Sequence, residues 1–343
     1  MAAPISPEAL PPVSLPHLSL SVALCTFNGE RYVAEQFDSI LSGDLLPTEI
    51  VVADDGSTDG TLAIVRDALA RAQSLGITVT LLPDRLGRGV TANFERAIAA
   101  TTGEVVVLSD QDDVWHPSRL ANVDAAFSAD PDLLFQHNNA RLVDETGTPL
   151  GLTLFTALEV TESDREQINA DNGFDVYLHR NLATGATVAF RRTLFDLASP
   201  LPSEWIHDEW LAIIASAVGT VRVTDAEVID YRQHGSNQIG VAAPTLLYRA
   251  QRMLATSPDR NSTLARRAEV LSDWLDAAPA VTAEKRAAAH NKTRFEQQRA
   301  ALPKPRIARL RGILRANRDN GYALYASQGR LDMLRDLLQA HAR

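Results

Sequence analysis

Residues 104–113 read EVVVLSDQDD, and this stretch decides how the fold of the chain is predicted. Its apolar, β-branched first half, Glu104 to Leu108, predicts a buried strand, and three carboxylates follow that strand within four positions. Runs of similar character stand at residues 18–25, 49–53 and 77–82. The residues between these runs have helical spacing, so strands and helices alternate. Such alternation indicates βαβ units and a mostly parallel sheet.

The acidic residues stand where this fold class binds its ligands. In parallel sheets a ligand lies beyond the carboxyl ends of the strands. Asp54 and Asp55 follow the second strand, and Asp110, Asp112 and Asp113 follow the fourth. Carboxylate oxygens suit Mg²⁺ or Mn²⁺, which keep one or two protein carboxylates and take their other ligands from phosphate and water. The sequence predicts a divalent metal that neutralises a diphosphate here, in preference to a solvated turn capping the next helix.

The turn after the second strand permits two interpretations. A carboxylate of Asp54-Asp55-Gly56-Ser57 can accept a hydrogen bond from a base imide or a ribose hydroxyl. The same residue types are common in turns and helix caps, and by itself the motif favours that structural role. Arg85 and Arg88 lie in the loop DRLGRG and are candidate phosphate ligands, although solvated loop charges explain them equally well.

Several protein classes are excluded or disfavoured. Thr26-Phe27-Asn28-Gly29 follows the first strand, and neither GxGxxG nor GxxxxGK[ST] occurs there, which argues against a dinucleotide-binding oxidoreductase and a P-loop. Cys25 is the single cysteine, which excludes an intrachain disulfide and a multi-cysteine metal site.

Residues 1–18 have no basic residue ahead of an apolar core, so we expect a loose Pro-rich leader and no signal peptide. No apolar run is long enough to span a bilayer, and the cytoplasm is the expected compartment.

Charge divides the chain into two regions. The 343 residues hold 33 Lys and Arg and 43 Asp and Glu, a net charge of −10. Residues 241–343 hold 19 basic and 9 acidic residues, which leaves a net charge of −20 for residues 1–240. The acidic region can bind cations, and the basic region can face anionic lipid, a polyanion or the acidic region itself.

Asp208 is a candidate general base. It lies at the predicted start of a helix over residues 207–218, and Trp205 and Trp210 flank it. A partly dry pocket there would raise the pKa of the carboxyl group into the range of a general base. Spacing alone favours the simpler interpretation, in which Asp208 complements the helix dipole.

Arg232 and His234 lie in a polar, donor-rich segment after the last predicted strand. Their side chains can meet phosphate or a metal ion. For a lone histidine, however, a hydrogen-bonded structural role is the better interpretation. The same interpretation applies to His116, His137 and His207.

Taken in order, seven segments resemble the family 2 glycosyltransferases with the GT-A fold. The segments cover roughly residues 19–240: SVALCTFNGERYVAEQFDSIL, EIVVADDGSTDGT, GRGVTANFERAI, GEVVVLSDQDDVWHPSRL, NLATGATVAFRR, HDEWLAI and YRQHGSNQIG. The DQDDVW and YRQHGSNQIG forms resemble bacterial rhamnosyltransferase-like members that build cell-surface polysaccharides. The resemblance implies a GT-A type, Rossmann-like sheet with helices on both faces.

The resemblance also implies a role for each matching position on the donor side. Asp112 would be the metal- and diphosphate-binding residue of the family's DxD motif. The other implied donor and metal ligands are Thr26, Asn28 and Asp55 around the nucleoside with Asp54 beside them, Asp110 and Asp113 beside Asp112, Thr184 and Gly185 at the sugar and acceptor pocket, and Arg232 and His234 over the diphosphate, with His234 as a further metal ligand.

For the transfer step, the resemblance implies that Asp208 is the catalytic base of an inverting reaction. It would deprotonate the acceptor hydroxyl for in-line attack on the anomeric carbon. Many family members carry Glu-Asp at this position, whereas this chain has Asp208-Glu209. Glu209 therefore stays an alternative base.

The region from about residue 241 onward lies outside the resemblance and is predicted to be a helical extension. Residues 304–316 read KPRIARLRGILRA, and the spacing of their apolar residues gives an amphipathic basic helix. Such a helix can lie on an anionic membrane surface, at the inner face of the plasma membrane. It can equally form a lid or a dimer element packed on the acidic region, and the sequence does not decide between the two.

The sequence thus predicts an inverting, Mg²⁺- or Mn²⁺-dependent glycosyltransferase. The expected donor is a UDP- or dTDP-sugar, with dTDP-rhamnose among the candidates, and the expected acceptor is a saccharide or a lipid-linked saccharide. No nucleic acid partner is predicted. A nucleotidyltransferase is a rival, although it would usually show a Gly-rich basic loop after the first strand. A non-catalytic nucleotide-sugar or polysaccharide-binding protein on the same fold is the second rival.

Overall fold

A computed structural model describes residues 17–83, 87–235 and 260–339. In this part of the chain nine strands form one sheet, in the order β3-β2-β1-β4-β8-β6-β9-β5 with β7 beside β6. The strands are β1 (Leu20–Thr26), β2 (Glu49–Asp54), β3 (Thr78–Leu81), β4 (Val105–Ser109), β5 (Val114–Trp115), β6 (Leu133–Val143), β7 (Pro149–Thr153), β8 (Val188–Arg191) and β9 (Thr220–Arg232).

The first four strands are parallel, as the sequence predicts. β1 lies between β2 and β4, with Thr26 paired to Asp54 and Leu24 paired to Ser109. Parallel pairing in this register brings the carboxyl ends of the three strands to one edge of the sheet. The connections are made by helices α1 (Val33–Leu41), α2 (Thr61–Ser74) and α3 (Val90–Ala99).

The other part of the sheet is mixed. β8 runs antiparallel to both β4 and β6, β9 runs parallel to β6, and β5 runs antiparallel to β9. The sequence predicts only short strands here, near residues 182–190 and 228–231, whereas β9 has 13 residues and β6 has 11. β6 escapes prediction because its middle carries four buried polar residues in succession: Gln136, His137, Asn138 and Asn139.

Hydrogen bonds inside the protein satisfy part of this polar stretch of β6, although the Oε1 atom of Gln136 and the Nδ1 atom of His137 have no partner among the described residues. The Nε2 atom of His137 lies 2.8 Å from the hydroxyl of Tyr177. Gln136 donates to Asn138, and the Oδ1 atom of Asn139 accepts from the backbone N–H of Phe155. His137 thus has the structural role that the sequence predicts for it.

Helices cover both faces of the sheet, as expected for this fold class. Side chains alternate along each strand, so Val22 of β1 belongs to one core cluster with Phe37 of α1, and Ala23 belongs to the other with Phe94 of α3. Helix α4 (Arg119–Ala129) joins the first cluster. The remaining helices of this region are α5 (Leu154–Ala157), α6 (Glu162–Gln167), α7 (Gly173–His179), α8 (Arg192–Ala198) and α9 (His207–Val218).

Residues 260–339, the described part of the C-terminal region, form five helices: α10 (Arg260–Ala277), α11 (Ala283–Ala300), α12 (Arg306–Arg318), α13 (Gly321–Tyr325) and α14 (Leu331–Leu338). Leu271 and Leu275 of α10 belong to the same core cluster as Trp210 of α9. Helix α10 is therefore packed on the sheet region. None of the helices in the described ranges combines the length and the apolar character needed to cross a membrane. The predicted boundary near residue 241 and the predicted leader, apart from residues 17 and 18, lie outside the described residues.

A buried ion cluster joins the C-terminal helices to one another. The guanidinium of Arg299 on α11 lies 2.8 Å from Glu296 and 2.7 Å from Asp336 of α14. The hydroxyl of Tyr322 on α13 donates to the same Asp336 carboxylate at 2.7 Å. Because the Arg299 side chain is only 1% exposed, removing it would leave the buried Asp336 carboxylate without its cation and Glu296 paired with Lys292 alone.

We expect the Arg299→Met substitution to lower the free energy of unfolding by about 3–5 kcal/mol, the usual cost of breaking a buried ion pair from one side. Urea unfolding measures this loss. Arg294→Met is the matched control, since Arg294 is an exposed residue of the same helix, and its effect should stay within about 0.5 kcal/mol. Equal losses for the two variants would contradict the assignment of Arg299 as the centre of the cluster.

Candidate active site

A cavity of about 1050 Å³ lies at the carboxyl ends of β1, β2 and β4. Parallel pairing of these strands brings the predicted acidic turns to this edge. Most of the predicted site residues line the cavity: Thr26, Asn28, Asp55, Asp110, Asp112, Thr184, Gly185, Asp208, Glu209 and His234. The cavity also has a large apolar contribution from Phe27, Tyr32, Val90, Phe94 and Ile206.

The two carboxylates after β2 have different surroundings. Asp54 is fully buried, and its carboxylate accepts hydrogen bonds from the hydroxyls of Thr26 and Ser57, both at 2.6 Å, and from the backbone of the turn. Asp54 therefore holds the turn together, which is the structural role weighed for it, and it does not line the cavity. Asp55 lines the cavity and accepts from the backbone N–H groups of Arg88 and Gly89. Arg85 lies outside the described residues.

The acidic cluster after β4 divides in the same way. Asp110 and Asp112 line the cavity, whereas Asp113 is buried behind them and accepts a hydrogen bond from the backbone N–H of Arg232 at 3.0 Å. Burial, followed by the charges of Asp112 and Asp208, raises the pKa of Asp110 to about 7. Burial and the same cluster hold the pKa of Asp113 well above its usual range. This edge therefore carries more negative charge than its protein surroundings compensate.

Arg232 does not close over the cavity as expected. Its side chain is buried, and its guanidinium donates to the Glu35 carboxylate at 2.7 Å and to the backbone oxygens of Asp112 and Glu145. The reason is that β9 continues through Arg232, so its backbone pairs with Asp113 and its side chain lies under the acidic turn. Arg232 supports the cluster from behind.

His234 lies at the cavity, two residues after the end of β9. Its Nε2 atom is 2.9 Å from the Oδ2 atom of Asp112, and its ring stacks on Tyr32 with 4.9 Å between the ring centroids. The structure thus brings His234 to Asp112, whereas its expected roles over the diphosphate and at the metal stay predictions. His116 has a structural role, since its two ring nitrogens lie 2.9 Å from the Glu227 carbonyl oxygen and from Asp230.

Asp208 and Glu209 occupy the first turn of α9. The Oδ2 atom of Asp208 accepts from the backbone N–H of Gly185 at 2.8 Å, and its Oδ1 atom accepts from the N–H of Glu209 at 2.7 Å. Burial raises the pKa of Asp208 to about 6, although these hydrogen bonds oppose the rise. The Glu209 carboxylate forms an ion pair with Arg267 of α10. Burial raises the pKa of Glu209, and Arg267 opposes that rise.

The sequence did not predict the roles that Gln111 and His207 have at the site. Gln111 bonds both backbone groups of Phe27, accepting from the N–H at 2.8 Å and donating to the C=O at 3.0 Å. A Cβ atom at Gly29 would overlap the end of this Gln111 side chain, so a larger residue there would displace the Gln111 amide from Phe27. His207 lines the cavity and stacks on Phe94, yet neither ring nitrogen has a hydrogen-bond partner in the described part of the chain. The structural role expected for His207 is thus not supported by hydrogen bonds.

The donor set at the acidic edge fits a hard divalent cation. Within the described residues no three side chains of His, Cys, Asp or Glu form a complete protein metal site. Mg²⁺ and Mn²⁺ do not require one, because one or two carboxylates suffice when phosphate and water supply the other ligands. Asp110 and Asp112 offer such a pair, and their mutual repulsion favours a cation between them.

Comparison with known proteins identifies the sequence family. The model of the family described as "Glycosyl transferase family 2" matches residues 21–195, slightly more than half of the chain. An uncharacterized glycosyltransferase of Nostoc sp. is 25% identical over 242 residues, which cover 64% of this chain and 66% of that protein. The dTDP-rhamnosyl transferase RfbG of Shigella flexneri is 25% identical over 231 residues, covering 63% of this chain and 73% of that protein. The chain spans just under two thirds of the length of the Nostoc relative and 59% of an uncharacterized Mycobacterium tuberculosis relative.

Two solved structures share the fold. Residues 1–349 of TarS from S. aureus, in complex with UDP-GlcNAc, superpose with a TM-score of 0.59 at 17% identity, over 94% of this chain and 90% of that one. The mannosyltransferase PcManGT of Pyrobaculum calidifontis, in complex with GDP-Man and Mn²⁺, gives a TM-score of 0.52 at 20% identity, over 94% and 86%. Identities this low establish the fold alone, and they confirm the expected GT-A architecture. The family match over residues 21–195, slightly more than half of the chain, shows that this chain is a member of glycosyl transferase family 2.

Proposed function

We propose that the protein is a glycosyltransferase that moves a sugar from a nucleotide diphosphate carrier onto an acceptor hydroxyl. One observation carries the proposal: a single cavity is lined by Asp55, by the acidic pair Asp110 and Asp112, and by the buried carboxylate of Asp208. In this arrangement Asp55 would bind the nucleoside, Asp110 and Asp112 would bind the diphosphate through a cation, and Asp208 would act as the base, all within one pocket. The UDP-GlcNAc bound by TarS and the GDP-Man bound by PcManGT support a nucleotide sugar as the ligand class.

The cation in this proposal is Mg²⁺ or Mn²⁺, and the Mn²⁺ in the PcManGT complex supports it. Asp112 and Asp110 would hold the metal. His234, which the resemblance implies as a further metal ligand, lies 2.9 Å from the Asp112 carboxylate and would support that ligand rather than complete a three-residue metal site. When bound, the metal neutralises the charge of the leaving diphosphate. Asp113 is not part of this ligand set, because its carboxylate is buried behind the turn and bonded to the backbone of Arg232.

In the transfer step Asp208 would act as the base. Its carboxylate takes the proton of the acceptor hydroxyl, the acceptor oxygen attacks the anomeric carbon, and the bond to the diphosphate breaks with its electron pair leaving on the diphosphate. A single displacement of this kind inverts the anomeric configuration. The Gly185 and Glu209 N–H groups fix both oxygens of the Asp208 carboxylate. Glu209 is less suited to the role because its carboxylate is paired with Arg267.

We place the donor among the UDP- and dTDP-sugars. The dTDP-rhamnosyl transferase from Shigella flexneri makes dTDP-rhamnose a specific candidate. A Bacillus subtilis relative, named as a putative teichuronic acid biosynthesis glycosyltransferase, supports an acceptor from cell-surface polysaccharide synthesis, either a saccharide or a lipid-linked saccharide. This chemistry would take place in the cytoplasm, at the inner face of the plasma membrane.

Helix α12 supports contact with that membrane. One face of the helix is buried through Arg309 and Ile313. On the opposite side Ile307, Leu310 and Leu314 are 84%, 42% and 59% exposed. No acidic residue occurs between positions 304 and 318. Five exposed basic side chains accompany the apolar ones: Lys304, Arg306, Arg311, Arg315 and Arg318.

An anionic bilayer is the partner that matches this surface. The exposed apolar residues can enter the boundary between headgroups and acyl chains while the cations meet anionic headgroups. The alternative, in which the apolar residues pack on the acidic part of the protein, is not favoured. The buried face of α12 contacts the C-terminal helices instead, where Arg309 donates to backbone oxygens of Asp336 and Gln339.

The donor site predicts metal-dependent stabilisation by one nucleotide sugar. UDP-GlcNAc, dTDP-rhamnose and GDP-mannose are tested separately, each with and without Mn²⁺. We expect one of them to raise the unfolding midpoint when Mn²⁺ is present, because a ligand at 100 times its Kd stabilises the folded state by about 2.7 kcal/mol. Asp112→Ala should abolish the shift, and Asp132→Ala, an exposed carboxylate away from the cavity, should keep it. No shift with any pair would reject the nucleotide-sugar assignment.

The base assignment predicts a separation of binding from turnover. We expect Asp208→Asn to keep the donor-induced shift but to lower transfer, or the slow hydrolysis of the donor by water, at least about 100-fold. In the unmodified protein the rate should rise as the pH passes upward through about 6, where Asp208 ionises. Release of the nucleoside diphosphate measures both effects. Donor binding without turnover in the unmodified protein would favour the binding-protein rival.

The membrane surface predicts binding to anionic vesicles. We expect the protein to co-sediment with phosphatidylglycerol-containing vesicles, less so at high salt, and not with pure phosphatidylcholine. Replacing Ile307, Leu310 and Leu314 by Ser should lower binding at least about 10-fold, since each buried CH₂ contributes about 0.8 kcal/mol. Leu75→Ser with Leu197→Ser is the matched control, because these leucines are 53% and 54% exposed elsewhere. Equal losses in the two sets would argue against the surface.

A further inference from the structure

Helix α9, which carries Asp208, is held at both ends by the C-terminal helices. At its beginning, Arg267 of α10 pairs with Glu209, and its guanidinium lies 4.3 Å from the centroid of the Trp205 ring. The indole N–H of Trp205 donates to the Arg267 backbone oxygen at 3.1 Å. At the end of α9, Lys285 of α11 donates to the backbone oxygens of Ser216 and Ala217 at 2.9 and 3.0 Å.

We propose that Arg267 is a positioning residue for the transfer step. It reaches from the C-terminal helices to the wall of the cavity and neutralises Glu209, so that Asp208 is the one carboxylate of this turn without an ion pair in the described part of the chain. This inference rests on the proposed function. It extends the site beyond the family match, which ends at residue 195.

The charge argument starts from two adjacent carboxylates. Asp208 and Glu209 both line the cavity, and both lie largely out of contact with water. Like charges at such a position disfavour ionisation of each other, and the effect is larger where water is excluded. Arg267 contributes the opposite charge directly at Glu209. Without it, Glu209 would either take up a proton or turn its charge toward the cavity and Asp208.

The geometry also explains why the residue is an arginine. The planar guanidinium stacks on the indole of Trp205 and at the same time pairs with Glu209. A lysine ammonium can supply the charge, but it is a compact point charge that does not reproduce the stacked, forked arrangement. The stack fixes the loop before α9, and the ion pair fixes the first turn of α9. The two contacts together hold the Asp208 backbone between them.

A double-mutant cycle tests the proposal. Arg267→Met, Glu209→Gln and the double variant are compared in kcat for donor hydrolysis or transfer, with the donor that stabilises the unmodified protein. We expect Arg267→Met to lower kcat about 10- to 100-fold, the range that coupled contacting groups produce, with donor KM and the donor-induced rise in unfolding midpoint unchanged. In the Glu209→Gln background the same substitution should have little further effect, because no second carboxylate then lies beside Asp208 for Arg267 to neutralise. Arg267→Lys should recover part of the loss.

Arg266→Met is the matched control, since Arg266 is the exposed neighbour on the same helix, and it should leave kcat unchanged. An equal loss from Arg267→Met in both backgrounds would overturn the proposal and leave Arg267 a purely structural contact. If Arg267→Met does not fold, Arg267→Gln takes its place in the same cycle. Failure of the proposed function itself looks different, because the unmodified protein would then neither bind nor turn over any donor.

Discussion

The repulsion between neighbouring carboxylates at the end of β4 is the constraint on which the rest of the site depends. Four consecutive residues, Asp110 to Asp113, leave a buried strand together. The structure separates their side chains: Asp110 and Asp112 face the cavity, Gln111 bonds the loop after β1, and Asp113 lies behind the turn. The loop after β1 and strand β9 contribute hydrogen-bond donors to this turn through Phe27 and Arg232. The site is therefore built around a negative charge that the protein does not fully compensate.

Arg119 and Arg232 show how that compensation is organised. Arg119 is buried below the turn, where it donates to the Leu108 backbone oxygen at 3.0 Å and lies 3.8 Å from the centroid of the Trp115 ring. Arg232 supports the turn from the side of β9. Neither guanidinium reaches into the cavity lining. The positive charges stabilise the turn from the protein side, and the open side remains negative, which is what a cation-dependent diphosphate site requires.

The sequence predicted the parallel strands and the acidic edge because both have local signals. β1, β2 and β4 are continuous apolar runs, and the acidic turns follow them directly. It could not predict the long strands β6 and β9, since the buried polar run from Gln136 to Asn139 has no hydrophobic periodicity. Nor could it tell Asp54 from Asp55, or Asp112 from Asp113. Which of two adjacent carboxylates turns inward is set by the donors that the folded chain brings to it, such as Ser57 and the backbone of Arg232.

The division of the sheet into a parallel and a mixed part has an evolutionary consequence. The residues proposed to hold the nucleotide follow the parallel strands, whereas Asp208 and its supports come from α9, the turn before β8 and the C-terminal helices. Substitutions around α9 and α10 can therefore accumulate without disturbing the strand pairing beneath the nucleotide. During evolution, an enzyme with this architecture can change its acceptor specificity while it keeps its nucleotide specificity. The two specificities can therefore diverge at different rates.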